Sequence, residues 1–327
     1  MSEAANALKR REAPPGGIIR RITVPQGGTI RTAVWQPGAR KPCGTFVILH
    51  GRGEFIEKYH ETIGDFLKRG WVVCTMDWRG QGLSSRFLSD SHKGHVESFM
   101  DYQADLDRFV EEIVLKAGPM PRIVMAHSFG ALVTLHYLRK NPATFTKAIL
   151  LAPMLSLSLS KHLSFSTIKA VLELICSLGF SKSYIPGRPD DYLTTRPFEG
   201  NRLTSDVDRF LDTQVWIKRN PELAIGGPTF GWLRAGFRSM EIAAEPDFPL
   251  HITTPLLILG ATKDPVVDMK AQEQLARRIR SALMIKINGA KHEILKERNE
   301  LRDLALDMID RFIAPDSVGI KRIKSAD

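Results

Sequence analysis

A chain of 327 residues, 43% hydrophobic and 25% charged, has the composition of an ordinary globular protein and room for one large α/β domain with an insertion. Its formal charge of +10 favours anionic partners, but the basic residues are spread, without a long basic cluster or zinc-finger spacing, which argues against nucleic acid and leaves an anionic membrane face. The three cysteines, Cys43, Cys74 and Cys176, lie far apart and argue against both a disulfide framework and a metal site.

Taken in chain order, residues 1–16 are polar and basic with paired prolines and glycines, and a disordered tail is expected. No apolar signal-peptide core and no run of about 18 apolar residues is present, so neither a leader nor a membrane span is expected; with sparse cysteines that suit a reducing compartment, a cytoplasmic location is expected. Ile18 to Val24 and Thr29 to Trp35 are β-rich runs joined by Pro25-Gln26-Gly27-Gly28, a hairpin signature. Thr45 to His50 is a continuous apolar run of the kind found in central parallel strands. A helix over Phe55 to Arg69, a strand over Trp71 to Met76 and a helix over Ser98 to Lys116 follow. Arg122 to Met125 reads as a buried strand, Ala131 to Lys140 as a helix and Lys147 to Leu151 as a strand. This alternation predicts a parallel sheet with helices on both faces.

From about Pro153 to Pro249 the rhythm breaks. Leu163 to Phe180, Ser205 to Lys218 and Thr229 to Met240 read as helices without strands between them, a helical insertion. The alternation then resumes with a strand over Pro255 to Gly260, a helix over Asp268 to Arg280, a strand over Leu283 to Ile287 and a closing helix over Glu297 to Ile313.

Chemistry concentrates where Arg122 to Met125 meets the next helix. Between them stands Ala126-x-Ser128-x-Gly130, a serine between small residues on a strand-to-helix turn. It resembles the nucleophile elbow, G-x-S-x-G, with the first glycine replaced by alanine. A serine hydroxyl is a weak nucleophile and needs a base, which in turn needs an orienting group. In this context the acid follows a late strand and the histidine follows the last one. Asp264, in the turn after Leu256 to Gly260, fits the acid, with Asp268 as the alternative, although Asp268 also suits a helix cap. Of the later histidines, His136 lies in the elbow helix, His162 in the insertion and His251 before the acid strand, so His292 is expected to be the base. An oxyanion needs preorganised N–H donors. The backbone N–H groups of Phe129 and of Arg52, in the loop His50-Gly51-Arg52-Gly53-Glu54, are the candidates. Asp77 to Gly82 reads as a brace beneath that loop.

His50-Gly51-x-Gly53-Glu54, Asp77-x-Arg79-Gly80-x-Gly82-x-Ser84, His127-Ser128-x-Gly130, Asp264 and Gly289-Ala290-Lys291-His292-Glu293 together resemble the serine hydrolases of the monoacylglycerol lipase and bacterial lysophospholipase L2 group. Asn201 to Asp206 and Gly226-Gly227-Pro228-Thr229-x-x-Trp232 resemble the lysophospholipase branch. The resemblance implies an α/β-hydrolase fold: a mostly parallel eight-stranded sheet with helices on both faces and an inserted helical cap. It places the core at 17–153 and 250–315, the cap at 154–249 and a basic tail at 316–327. It implies a carboxylic ester hydrolase for single-acyl-chain lipids, with Ser128, Asp264 and His292 as triad and Arg52 and Phe129 as oxyanion donors, without metal or cofactor; the positive charge adds an expectation of peripheral contact at the inner face of the membrane. A small-ester esterase or prolyl-type aminopeptidase on the same scaffold is the alternative, and a non-catalytic lipid- or partner-binding homologue a third.

Overall fold

The computed structural model describes residues 10–25, 27–38, 41–158, 164–186 and 197–314. Five apolar runs form strands whose residues are almost all buried: β3 (Gly44–Leu49), β4 (Trp71–Met76), β5 (Arg122–His127), β6 (Lys147–Leu151) and β7 (Leu256–Ala261). Such runs suit strands covered by helices on both faces. β1 (Ile18–Thr23) and β2 (Thr29–Trp35) form the hairpin, and β8 (Ala282–Ile287) completes the sheet. The eight strands lie in the order β1-β2-β4-β3-β5-β6-β7-β8; the β1/β2 and β2/β4 pairs are antiparallel and the rest parallel.

The longer helices are α1 (His60–Lys68), α2 (Phe99–Phe109), α3 (Ser128–Lys140), α4 (Phe165–Ile175), α5 (Val207–Arg219), α6 (Phe230–Ala244), α7 (Met269–Arg278) and α8 (Asn299–Ile313); α1, α2, α3, α7 and α8 accompany the strands of the sheet. α2 starts where Ser98 Oγ accepts the Met100 N–H, a side-chain N-cap. The helix expected over Ser98 to Lys116 is not uniform, because a π turn at Val110–Val114 interrupts it. Ser128 also belongs to α3, which therefore begins three residues before the expected start at Ala131.

Between β6 and β7 the described residues hold α4, α5 and α6 and no strand of the sheet. His162 and Leu163, assigned to this segment from sequence, lie outside the described residues, as do residues 1–9 and 316–327 of the two expected tails. Arg10 and Arg11, also placed in the N-terminal tail, pair with Asp212 of α5, and the Pro14 carbonyl accepts the indole N–H of Trp35. α4 carries only one fully buried residue, Leu172, while Val171 and Leu174 on the same helix are 49% and 60% exposed. No helix among the described residues is long and apolar enough to cross a membrane.

Candidate active site

β5 ends at His127 and α3 begins at Ser128, whose φ of 55° lies in the left-handed region. For a serine that conformation stores about 1–3 kcal/mol and survives only where the surroundings enforce it. Gly130 is part of that enforcement: a Cβ there would sit 2.5 Å from the His50 carbonyl oxygen, so only glycine lets α3 approach the end of β3. Ala126, where the motif has glycine, is buried in β5 opposite Leu49 and Leu150, and its extra methyl sits within the sheet beside a turn that keeps the strained serine.

The other two groups come from neighbouring strand ends. β7 and β8 are paired in parallel through Ala261 and Ile287, so the loops that follow them leave the sheet side by side. Three bonds tie those loops: Lys263 N–H to the Ala290 carbonyl at 2.9 Å, Gly289 N–H to Thr262 Oγ1 at 2.9 Å, and Thr262 Oγ1 to Asn288 Oδ1 at 3.2 Å. His292 Nδ1 lies 2.7 Å from Asp264 Oδ2, and its Nε2 lies 3.0 Å from Ser128 Oγ. Asp264 Oδ1 also accepts the N–H groups of Val266 and Val267, at 2.7 and 3.1 Å. Burial pushes the Asp264 carboxyl up, but His292 and those two amides outweigh it and hold it below the usual carboxylate value. Asp268 instead caps α7 through the Lys270 N–H, at 2.9 Å. His136 bonds Ser239 within the α3–α6 packing, and His251 ends the short helix before β7.

His292 has far to reach. In a sheet with strands about 4.8 Å apart, β8 lies three strands and so about 14 Å from β5, and its following loop must lean back over the sheet edge. The Asn201 to Asp206 motif is one strap that holds it there. Asn201 Oδ1 folds the segment by accepting the Leu203 and Thr204 N–H groups at 3.0 and 3.1 Å. The Leu203 carbonyl then takes the Glu293 N–H at 2.8 Å, and Thr204 Oγ1 donates to the Lys296 carbonyl at 2.6 Å. Glu297 receives both the Lys291 N–H, at 2.7 Å, and the Ser205 N–H, at 3.0 Å. A motif noted in the sequence only as a branch signature thus binds the segment between β6 and β7 to the histidine loop.

Arg52 lines the same cavity as Ser128, and Phe129 follows Ser128 in α3. Phe129 is in the first turn of α3, where backbone N–H groups have no intrahelical acceptor. The Arg52 loop is braced from beneath by the Asp77 to Gly82 turn: Gln81 Oε1 accepts the Gly53 N–H at 2.8 Å, and Trp78 Nε1 donates to the His50 carbonyl at 2.9 Å. The Arg52 guanidinium donates to the Gly226 carbonyl at 3.0 Å and lies 5.1 Å over the Trp232 ring, which employs the second branch motif.

Beside Ser128, His292 and Asp264 lies a buried ionic cluster that sequence reasoning left without a role. Glu54 accepts from Lys58 at 2.9 Å, from the Tyr59 hydroxyl at 2.9 Å, from the Gly51 N–H and from His127 Nδ1 at 2.9 Å. Lys58 also bonds Glu293 at 2.6 Å. Desolvation opposes charge on Glu54, but Lys58 and His127 hold the carboxyl well below its ordinary value. The visible signals were Glu54 and Lys58 four residues apart, a histidine just before the serine and a glutamate just after His292, none of which reveals a shared cluster.

Ser128 and His292 face a cavity of about 450 Å³. Met154, Leu157, Ile168, Leu233, Phe237 and Val266 contribute apolar side chains to its wall. Arg52, Asn201, Arg202 and Gln214 supply polar groups elsewhere on its lining. Of the apolar residues of α4, Ile168 lines the cavity, whereas Val171, Leu172 and Ile175 do not.

The chain is 30% identical over 267 residues to a probable lysophospholipase L2 of Haemophilus influenzae, covering 82% of each chain. It is 31% identical over 276 residues to lysophospholipase L2 of Escherichia coli K12, covering 81% of this chain and 79% of that one. The solved structure of a soluble variant of monoglyceride lipase from Saccharomyces cerevisiae superposes with a TM-score of 0.70 over 91% of this chain and 96% of that one, at 17% identity, a likeness of fold. Residues 40–299 match the Hydrolase_4 family, described as serine aminopeptidase, S33, and the chain belongs to that family of α/β-hydrolase-fold serine hydrolases.

Proposed function

We propose that the chain hydrolyses carboxylic esters of single-acyl-chain lipids, lysophospholipids or monoacylglycerols, with Ser128 as nucleophile, His292 as base and Asp264 as its orienting acid. The observation that carries this is the unbroken relay from Ser128 Oγ through His292 to Asp264, with bonds of 3.0 and 2.7 Å, facing a cavity with an apolar wall. His292 Nε2 takes the Ser128 proton as Oγ bonds the ester carbonyl carbon. The backbone N–H groups of Arg52 and Phe129 receive the developing oxyanion. The protonated His292 then gives its proton to the departing alcohol, leaving an acyl-serine, and a water activated by the same nitrogen releases the acid.

The segment between β6 and β7 acts in this reading as a cap whose Ile168, Leu233 and Phe237 take the acyl chain, at about 0.8 kcal/mol per buried CH₂. An aminopeptidase would need a carboxylate at the cavity for the substrate ammonium. Among the described residues, the acidic side chains on the lining are Glu54 and Glu293, and both are engaged by Lys58 or His127, which favours esters. Val171, Leu174, Leu178 and Phe180 are exposed on and just after α4, and with the charge of +10 they support peripheral contact with an anionic bilayer. The free thiols of Cys43, Cys74 and Cys176 suit a cytoplasmic site.

The test is hydrolysis of a lysophospholipid series, a monoacylglycerol series, short-chain esters and prolyl amides by wild type and Ser128→Ala, with fluorophosphonate labelling alongside. Long-chain ester hydrolysis lost in Ser128→Ala supports the proposal. Equal rates in both proteins, or a preference for amides, defeats it.

A further inference from the structure

The ring of His127, the residue before the nucleophile, is held at both nitrogens. Nδ1 lies 2.9 Å from Glu54 Oε2, and Nε2 lies 3.2 Å from the main-chain carbonyl oxygen of His292. A carbonyl oxygen can only accept. Glu54 already receives the ammonium of Lys58, the hydroxyl of Tyr59 and the N–H of Gly51, so it too is an acceptor, an ionised carboxylate. Both ring nitrogens must therefore donate, and an imidazole with two N–H groups is a cation.

Charge balance among the groups bonded to one another favours the same state. The cluster contains two carboxylates, Glu54 and Glu293, and one ammonium, Lys58, all buried. It is neutral only when His127 carries the second positive charge. Burial opposes that charge, but Glu54, through charge and hydrogen bond, and then Glu293 outweigh it and raise His127 above its ordinary value, with Lys58 opposing. The groups facing the ring are Glu54, Lys58 and Tyr59 from the segment after β3, and His292 and Glu293 from the loop after β8; the His292 ring centroid is 4.8 Å away.

We infer that His127 is a positioning residue: a buried imidazolium that joins the carboxylate under the Arg52 loop to the main chain of His292, and so holds the base within reach of Ser128. The inference rests on the triad reading above. It adds that the site carries a titrating strap distinct from the triad. The His292 loop has to lean across the sheet, and this bond comes from the strand that bears the nucleophile, so it fixes base and nucleophile to each other directly.

The sign follows from the raised value. The cation is complete below the ordinary histidine value of 6.5 and is lost as pH rises through the higher folded value. Glu54 retains the Nδ1 proton, so the proton that leaves is the one on Nε2, and the His292 carbonyl loses its donor. The wild-type kcat should therefore fall on an alkaline limb.

The experiment records side-chain ¹⁵N spectra of histidine-labelled full-length protein at pH 7 to 9, assigned with His127→Gln and His127→Phe, together with kcat and KM against pH for a soluble ester. Expected are two protonated ring nitrogens on His127 at pH 7. Expected also is a kcat in His127→Gln that is about tenfold to a hundredfold lower, with KM within about threefold and the alkaline limb gone, the scale of a base misplaced by about an ångström. A bare ring nitrogen on His127 at pH 7, or a His127→Gln profile that keeps the wild-type limb, overturns the inference. Should His127→Phe not fold, the wild-type spectrum and His127→Gln still decide it. If wild-type Ser128 takes no fluorophosphonate, the triad reading fails, and the ¹⁵N signal still reports whether His127 is charged.

Discussion

Asp264 holds His292 by one oxygen and its own loop by the other: Oδ2 lies 2.7 Å from His292 Nδ1, while Oδ1 takes the amides of Val266 and Val267. The first bond selects the tautomer with the proton on Nδ1 and the lone pair of Nε2 facing Ser128. Asp264→Asn, whose amide can donate to Nδ1, should favour the opposite tautomer and lower kcat by about four orders of magnitude, with substrate binding little changed. Steady-state kinetics on a chromogenic ester check this; a loss below tenfold would remove Asp264 from the relay.

Ser128 is strained by its φ of 55°. Removing the side chain should separate chemistry from stability. Ser128→Gly and Ser128→Ala should both lose hydrolysis, but the glycine variant should be the more stable of the two by about 1–2 kcal/mol, because only alanine keeps the left-handed penalty. Urea denaturation of the pair measures the difference, and equal midpoints with equal slopes would show an unstrained turn.

Glu61 on α1 receives Arg209 of α5 in a bidentate pair at 2.8 and 2.9 Å and lies 3.7 Å from Arg302 of α8. Burial raises its carboxyl, but Arg209 and the neighbouring cations bring it from 4.5 down to about 2. A depressed carboxylate contributes stability above its unfolded value that is lost as pH falls toward its folded value. The contribution is about 3 kcal/mol, vanishing between about pH 5 and pH 2. Glu61→Gln should therefore lower Tm at pH 7 and lose less on acidification. Parallel Tm-against-pH curves for variant and wild type would contradict this.

Leu233 lies on the apolar wall of the cavity. Leu233→Trp should occupy part of the acyl space and shorten the preferred chain by a few carbons, since each lost buried methylene lowers kcat/KM about fourfold. An acyl-length series on a single head group reads this directly. An unchanged optimum would place the acyl chain along another part of the lining.

Much of the sheet could be read without coordinates, because β4 and β6 are apolar runs bounded by turn residues and their ends fall where the sequence places them. The π turn at Val110–Val114 could not, since nothing in its helix-forming residues distinguishes an i,i+5 turn from the regular one. α4 was legible as a helix but not in its surroundings: its apolar residues satisfy helical spacing, yet Val171 and Leu174 are exposed while Ile168 meets the cavity. Periodicity identifies an apolar face; it does not say what covers it.

The candidate site divides in the same way. The order serine, acid, histidine, and their positions just past strand ends, are linear facts about Ser128, Asp264 and His292, so the sequence by itself determined which three side chains to examine. Only the tertiary structure decided what holds them. Glu54, Lys58, His127 and Glu293 belong to three separate stretches, and their charges cancel only once β3 and β5 pair and the loop after β8 folds back over them. Local pattern is written in neighbouring residues. Neutrality in a buried cluster depends on distances between groups far apart in the chain, and those exist only after it has folded.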